Sequence, residues 1–278
     1  MNVGKTYRNL HEQRMNVSKE LCKWSVVAAS VRGTSHEKVG QLCQDAHQWE
    51  KLPEDVLVAA VADGAGSATL GKVGAIVASQ TAVETIRFSI GARRDASVQP
   101  LPEDDQELQL LLTNALEAAK AAVEAEAIAS SMTARDLATT LILVIATPEV
   151  IAAAQVGDGV AVASDRSGQV VALTSPQRGE YINETTFLVS PNALDTAQIN
   201  IWRGPTANIA VLSDGLQMLA LEMTNGKPHA PFFSPLFQFM AGVTDEAEAK
   251  EQLVAFLRSP RILERTDDDL TLLLATLT

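Results

Sequence analysis

The chain has 278 residues, of which 46% are hydrophobic and only 4% aromatic, so it has ample material for a large core built from aliphatic side chains. A formal charge of −12 argues against a polyphosphate-binding surface, which needs clustered Lys and Arg, and disfavours anionic membranes as well. Cys22 and Cys43 are the only cysteines and form no Cys-x-x-Cys pair, which excludes a disulfide framework and makes a reducing cytoplasm the expected setting.

Residues 1–23 are studded with Lys5, Arg8, Glu12, Arg14, Lys19 and Glu20 and lack the apolar stretch of a secretory leader; they read as an extension ahead of one domain over residues 24–278. Residues 24–31 and 56–62 read as strands separated by a polar loop holding Gly33, His36, Gly40 and Asp45. Val73, Ile76, Val77, Val83, Ile86 and Ile90 recur at helical spacing and predict a helix over 71–90. A second helix is expected over 104–130, with Glu103, Asp104 and Asp105 at its positive end.

A strand-rich block follows, at 139–147, 150–156, 160–164 and 169–173, with Ser167-Gly168 as a hairpin turn. Beyond a polar segment reaching Thr185, further strands are expected over 199–203 and 208–212, helices over 215–221, 231–240 and 245–257, and a last strand from Leu270. The most apolar stretch, residues 141–146, is far shorter than the ~20 residues that span a bilayer. Strands and helices come in runs rather than alternating one by one, which predicts an α+β fold with mainly antiparallel sheet.

Three of the apolar runs end in the same dipeptide: Asp63-Gly64, Asp158-Gly159 and Asp214-Gly215. Asp267-Asp268-Asp269 stands directly before the final run. One Asp-Gly is an ordinary turn signal, but several acidic strand ends together point to a shared site. Two carboxylates about 4 Å apart repel by roughly 4 kcal/mol at an effective dielectric near 20, so a converging cluster calls for a cation. Oxygen ligands of this kind suit Mg²⁺ or Mn²⁺, whereas zinc would recruit histidine or cysteine.

The segment from Gly66 to Val73 nearly spells a phosphate-binding P-loop, but valine at position 73 has no oxygen for Mg²⁺, and a glycine-rich start to a helix accounts for it better. Asp267-x-Asp269-x-Thr271 imitates the motif of aspartyl-nucleophile phosphatases yet precedes the last strand instead of following an early one. Neither cysteine has an arginine six residues later, and no Gly-x-Ser-x-Gly elbow is present.

Taken in order, Gln44-Asp45-Ala46, Ala62-Asp63-Gly64-Ala65-Gly66, Ala138-Thr139-Thr140-Leu141, Val156-Gly157-Asp158-Gly159, Leu212-Ser213-Asp214-Gly215 and Asp267-Asp268-Asp269-Leu270-Thr271 resemble the metal-dependent type 2C protein serine/threonine phosphatases, over nearly the whole chain from residue 24 to 276. The segments Ser35-His36 through Asp45 and Gly179 to Thr185 resemble a bacterial branch. The resemblance implies two packed antiparallel sheets between helical layers, an α-β-β-α sandwich, with a centre of two Mn²⁺ or Mg²⁺ ions at one end and a third ion in some members. It implies that Asp63 bridges the ions, that the Gly64 carbonyl binds one of them, that Asp214 and Asp268 hold the other, that Asp45 acts directly or through water, and that Asp158 serves the third.

The implied reaction is in-line attack of a metal-activated water on the phosphorus of a phosphoserine or phosphothreonine protein, with no protein nucleophile. Its partner is therefore a phosphorylated protein and not a nucleic acid or a membrane; the oligomeric state stays open. Two departures stand out: the family's phosphate-binding arginine five residues before the first aspartate is Gly40 here, with Arg32, His36 or Lys38 as substitutes, and its candidate general-acid histidine is Ala65. His36 is the histidine to watch, for phosphate contact or proton donation. These departures motivate one alternative, a pseudophosphatase that binds phosphoproteins without turning them over.

Overall fold

The computed structural model describes residues 23–96, 101–177, 185–222 and 224–278. In chain order the elements are β1 Trp24–Val31, α1 Thr34–Val39, β2 Ala46–Leu52, β3 Val56–Ala62, α2 Gly71–Asp95, α3 Asp105–Ala129 and a 3₁₀ turn Ala134–Leu137. Then come β4 Leu141–Ala146, β5 Val150–Val156, β6 Val160–Asp165, β7 Val170–Ala172, β8 Gln198–Arg203 and β9 Thr206–Leu212. A second 3₁₀ turn, Asp214–Leu216, leads into α4 Gln217–Ala220, and α5 Ala230–Ala241, α6 Glu246–Leu257, α7 Pro260–Leu263 and β10 Leu270–Leu277 complete the chain.

The strands form two five-stranded sheets, ordered β1-β10-β9-β6-β7 and β2-β3-β4-β5-β8, and every pairing is antiparallel. Leu57, Ala59, Val61, Ile142 and Val144 from one sheet pack against Val211, Ala161, Leu273 and Ala275 from the other, making the middle layer. The opposite face of the second sheet is covered by α2 and α3, through Ala78, Ala82, Ile86, Leu112 and Leu116. The outer face of the first sheet is covered by α5 and α6, through Phe233, Phe237, Leu253 and Leu257. This is the expected four-layer sandwich. Its inner strands are buried on both faces, which is why β3, β4 and β6 read as continuous apolar runs and not as alternating ones.

The region between β1 and β3 departs from the polar loop expected there, because it contains both α1 and β2. Strand β2, His47-Gln48-Trp49-Glu50-Lys51 at its centre, lies at a sheet edge and is only half-buried, so no apolar alternation marks it. Strand β4 begins two residues later than predicted, Thr139 making only an isolated bridge to Gly64, and the helix expected over 215–221 is a 3₁₀ turn followed by one α-turn. At the start of α3 the Asp104 side chain accepts hydrogen bonds from the Gln106 and Glu107 amides, at 2.8 and 3.1 Å, as its place in the sequence predicts. Of the polar segment ending at Thr185, residues 178–184 lie outside the described residues, and Glu180, Asn183 and Glu184 with them.

The glycines at the start of α2 answer to close packing. A Cβ on Gly74 would stand 2.1 Å from the Leu137 carbonyl oxygen, and one on Gly64 would stand 2.4 Å from the Gly71 backbone. The segment resembling a P-loop is therefore a tight contact between a loop, a helix and the 3₁₀ turn. Helix propensity alone would make Gly74→Ala stabilising by about 1 kcal/mol. The Leu137 contact reverses the sign, and denaturant melts are expected to show a net loss of about 1–3 kcal/mol, typical of overpacking.

Candidate metal centre

Antiparallel pairing brings the ends of many strands to one edge of the sandwich. Ala46 pairs with Ala62, Leu141 with Val156, Val31 with Leu270, and Leu212 with both Leu272 and Val160. Each pair lies where one strand starts and its neighbour stops. Asp45 precedes β2, Asp63 follows β3, Asp158 lies between β5 and β6, Asp214 follows β9 and Asp268 precedes β10. The five aspartates singled out from sequence therefore share one rim, and mutual electrostatic influence links Asp45 with Asp63 and Asp214, and Asp214 with Asp158 and Asp268.

Burial first and neighbouring negative charge second raise the carboxyl pKa values here. Asp45 is fully buried and is pushed up to about 7, with Asp269 and Asp214 adding to burial while hydrogen bonds from Ser213 and Thr271 oppose it. Asp63 is raised well above the ordinary carboxylate range by burial, then by Asp45 and Asp214. Burial, with Asp158 and Asp268 beside it, takes Asp214 up to about 6. Asp268, the most exposed of the four, is raised by the same two causes, although the Asp269 amide holds it at 2.8 Å. Asp63 and Asp214 face each other closely enough to hydrogen-bond carboxyl to carboxyl, which requires a proton or a cation between them.

The backbone fixes these side chains in place. Thr140 Oγ1 accepts from the Asp63 amide at 3.0 Å, and the Asp63 carbonyl accepts from Thr139 Oγ1 at 2.9 Å and from the Thr140 amide at 2.8 Å. Ser213 Oγ donates to Asp45 Oδ2 at 2.7 Å and accepts from the Thr271 amide at 2.9 Å, tying the two sheets together behind the centre. Lys72 Nζ donates to the Asp45 carbonyl. Asp158 Oδ2 accepts from Thr185 Oγ1 at 2.6 Å.

Sequence reasoning named Asp268 but passed over its neighbour Asp269, which organises the rim from behind. Asp269 is buried; its Oδ1 accepts from the Gly33 amide at 2.6 Å and its Oδ2 from the Gln44 amide at 2.5 Å. His36 Nδ1 lies 2.9 Å from the same Oδ2, a close polar approach without the alignment of a hydrogen bond. Of the proposed substitutes for the missing arginine, only His36 is held inward, at 12% exposure, and its Nε2 faces the Gly66 end of the Asp63–Gly66 loop, 3.9 Å from where a Cβ on Gly66 would stand. Arg32 is engaged locally, by the Gln41 carbonyl at 3.2 Å and Glu37 at 3.7 Å, and Lys38 is exposed. Gly40 caps α1 in a left-handed conformation, φ 71°, a backbone that an arginine would adopt only with strain. The Cys43 thiol is pushed up to about 12, chiefly by burial, as expected of an inert cysteine; Cys22 lies outside the described residues.

The donor set fits a hard divalent cation. Asp45 Oδ1 and Asp214 Oδ1 are buried without a hydrogen-bond partner among the described residues, although each belongs to a group that prefers two or more donors. Among the described residues no three His, Cys, Asp or Glu side chains enclose one point as a finished chelate. Mg²⁺ and ions like it do not require one, since they retain several waters and take only one or two carboxylates each. The side chains that follow or precede the strands at this rim are aspartates, an oxygen donor set unlike the histidine and cysteine of a zinc site.

Comparison with known proteins agrees with this architecture. A family model described as protein phosphatase 2C matches residues 32–258. Serine/threonine-protein phosphatase 3 of Escherichia coli (strain K12) is 37% identical over 258 residues, covering 91% of this chain and 98% of that protein. Among solved structures, the serine/threonine phosphatase of Staphylococcus aureus superposes with a TM-score of 0.62 at 14% identity, covering 92% of this chain and 96% of its own. A bacterial serine phosphatase does so with a TM-score of 0.63 at 15% identity, covering 92% and 98%. With the extent of the family match, the identity to the curated relative and the shared two-sheet fold in hand, the chain belongs to the protein phosphatase 2C family.

Proposed function

We propose that this chain hydrolyses phosphoserine and phosphothreonine in proteins through a centre of two Mn²⁺ or Mg²⁺ ions, in a catalytic unit spanning residues 24–278 with residues 1–23 as an extension. The observation that carries the reading is the mutual elevation of the carboxyl groups of Asp45, Asp63, Asp214 and Asp268, an arrangement that destabilises the chain unless cations neutralise it. Family membership makes the chain a protein phosphatase of the 2C type; the ions, their number and the roles below are our inference.

In this reading Asp63 would serve both ions, the Gly64 carbonyl would hold one of them, Asp214 and Asp268 would hold the other, and Asp45 would act directly or through water. Asp158, already engaged by Thr185, stands where a third would add. When bound, the ions supply charge neutralisation and an activated water for in-line attack on phosphorus. Asp269 keeps the His36 ring turned toward the loop after Asp63, so His36 is the chain's own candidate to contact the phosphoryl group or to deliver a proton to the leaving oxygen. Arg32, just before α1, and Lys38, within it, are further candidates for phosphate contact. Since no described helix is long and apolar enough to cross a membrane, a phosphoprotein reached from solution suits the site, and a cytoplasmic one suits the cysteine usage. The pseudophosphatase alternative is not favoured, since the family match and a curated relative named as a serine/threonine-protein phosphatase both support catalysis.

Release of phosphate from a phosphothreonine peptide should require added Mn²⁺ or Mg²⁺ and cease with chelator. Asp63→Asn and Asp214→Asn should each reduce it by about a hundredfold or more, at least the loss expected from disturbing a metal site's outer shell. Unchanged turnover in both variants, or activity that survives chelation, sinks the two-ion centre.

The raised pKa values also set the sign of a pH effect. A carboxyl whose folded pKa exceeds its unfolded value binds its proton more tightly in the folded state, so the stability it lends is present at low pH and lost as pH rises through the folded value. For Asp214 and Asp45 that loss spans from about 4, the ordinary value, to about 6 and about 7. Thermal melts in chelator should accordingly fall between pH 5 and 8, and saturating Mn²⁺ should flatten the slope. Asp63→Asn, which removes one charge from the cluster, should raise the melting temperature in chelator while abolishing the stabilisation by Mn²⁺.

A further inference from the structure

A groove of about 560 Å³ opens among α4, α5, α6 and α7. Its apolar wall is built by Phe232, Leu236, Phe256 and Ile262, and Arg261 and Arg265 line the same groove. These arginines are exposed and, among the described residues, neither has a carboxylate within ion-pair distance, whereas Arg32, Arg87, Arg93, Arg94 and Arg203 each lie beside one. Glu222, which also lines the groove, accepts from Asn225 Nδ2 at 2.7 Å on one oxygen and keeps its negative charge, so Arg261 and Arg265 together leave the lining one positive charge in excess. In a chain of net charge −12, two unpaired guanidinium groups beside an apolar wall make a place of opposite sign from the rest of the surface.

The groove is tethered to the metal rim on two sides. Met218, 60% exposed and on its lip, comes four residues after Asp214, and Arg265 comes three residues before Asp268. A chain covers at most about 3.6 Å per residue, so Met218 and Arg265, one on each side of the groove, lie within about 14 Å of Asp214 and about 11 Å of Asp268. An extended peptide with its phosphorylated residue at the rim reaches the same distance with its third and fourth neighbours.

We propose that this groove binds the segment of the phosphoprotein that flanks the phosphorylated residue, taking an apolar or aromatic side chain on the Phe232 wall and an acidic side chain on Arg261 and Arg265. The proposal rests on the phosphatase reading and adds a substrate preference to it: acidic and apolar residues three to four positions from the phosphorylated one. Guanidinium forks suit a carboxylate bidentately, which makes such a contact directional as well as attractive.

The test compares two phosphothreonine peptides, one carrying Leu and Glu at the third and fourth positions on both sides, the other Ser and Lys there. With Mn²⁺ present, the wild-type chain is expected to prefer the first by about tenfold in kcat/KM, the worth of one charge-assisted contact. In the double variant Arg261→Ala, Arg265→Ala the preference should vanish through a rise in KM for the first peptide, with hydrolysis of p-nitrophenyl phosphate unchanged. Met218→Glu, which sets a negative charge on the lip, should produce the same selective loss and decides the matter if the double variant fails to fold. Equal kcat/KM for the two peptides in the wild type, or a preference that survives in the variants, overturns the groove. Absence of metal-dependent hydrolysis of all three substrates by the wild type instead overturns the phosphatase reading beneath it.

Discussion

Repulsion among Asp45, Asp63, Asp214 and Asp268 is the constraint around which the rest of the molecule is arranged. Left to itself, the cluster would be relieved by protonation or by spreading apart, and the raised pKa values show the first of these pressures. The second is resisted by covalent and hydrogen-bonded geometry. Asp63, Asp214 and Asp268 are each one or two residues from a largely buried strand, so moving those carboxyls outward means dragging apolar backbone with them, while Asp45, before the half-buried edge strand β2, is held by Ser213 instead. The Thr139 and Thr140 contacts to Asp63 and the bridge from Asp45 through Ser213 to Thr271 then lock strands of both sheets against each other at the rim. Stability stored in the apolar layers holds the charges together, as a preorganised cation site requires.

The adjacent pair Asp268 and Asp269, in the bend just before β10, divides labour between two neighbouring carboxylates. Asp268 faces the rim, while Asp269 turns inward and is consumed by the Gly33 and Gln44 amides and by the approach of His36. The inward carboxylate therefore fastens the β1–α1 turn and the segment before Asp45 to the base of β10. In this way residues 33, 36 and 44, far from 269 in sequence, become one wall of the centre. A carboxylate accepting from two amides and facing an imidazole has its demand met within the protein, whereas Asp45 Oδ1 and Asp214 Oδ1 do not, and that contrast separates the structural acid from the proposed ligands.

Most of the architecture could be read from residue pattern alone because its strands are continuous apolar runs ended by Asp-Gly, and its long helices carry clear periodicity. The failures have definite causes. Strand β2 was hidden by its edge position, where polar side chains alternate without any apolar face to mark the register. Short α1 has no buried residue and so no periodicity to detect. Asp269 was obscured by standing beside two other aspartates, since a run of three acids gives no hint which one turns inward; only the Gly33 and Gln44 amides brought to it by the fold mark it out. The groove bounded by Arg261 and Phe232 was illegible for a different reason, being built by side chains some thirty residues apart on helices whose packing no local pattern encodes.

The two departures from the family pattern, Gly40 and Ala65, have a common physical setting. Gly40 ends α1 in the left-handed region, and that turn lets the helix stop after little more than one turn and send the chain back toward Asp45. The same short helix carries His36, whose ring lies against Asp269 with one nitrogen and faces Gly66 with the other. Ala65, the residue before Gly66, is small and buried. On the proposed reading, the imidazole reaches the phosphoryl side of the centre from α1 instead of from the loop after Asp63. The donor is thereby supplied by a neighbouring element, and the carboxylate that orients it, Asp269, is the one that also fixes the wall on which it stands.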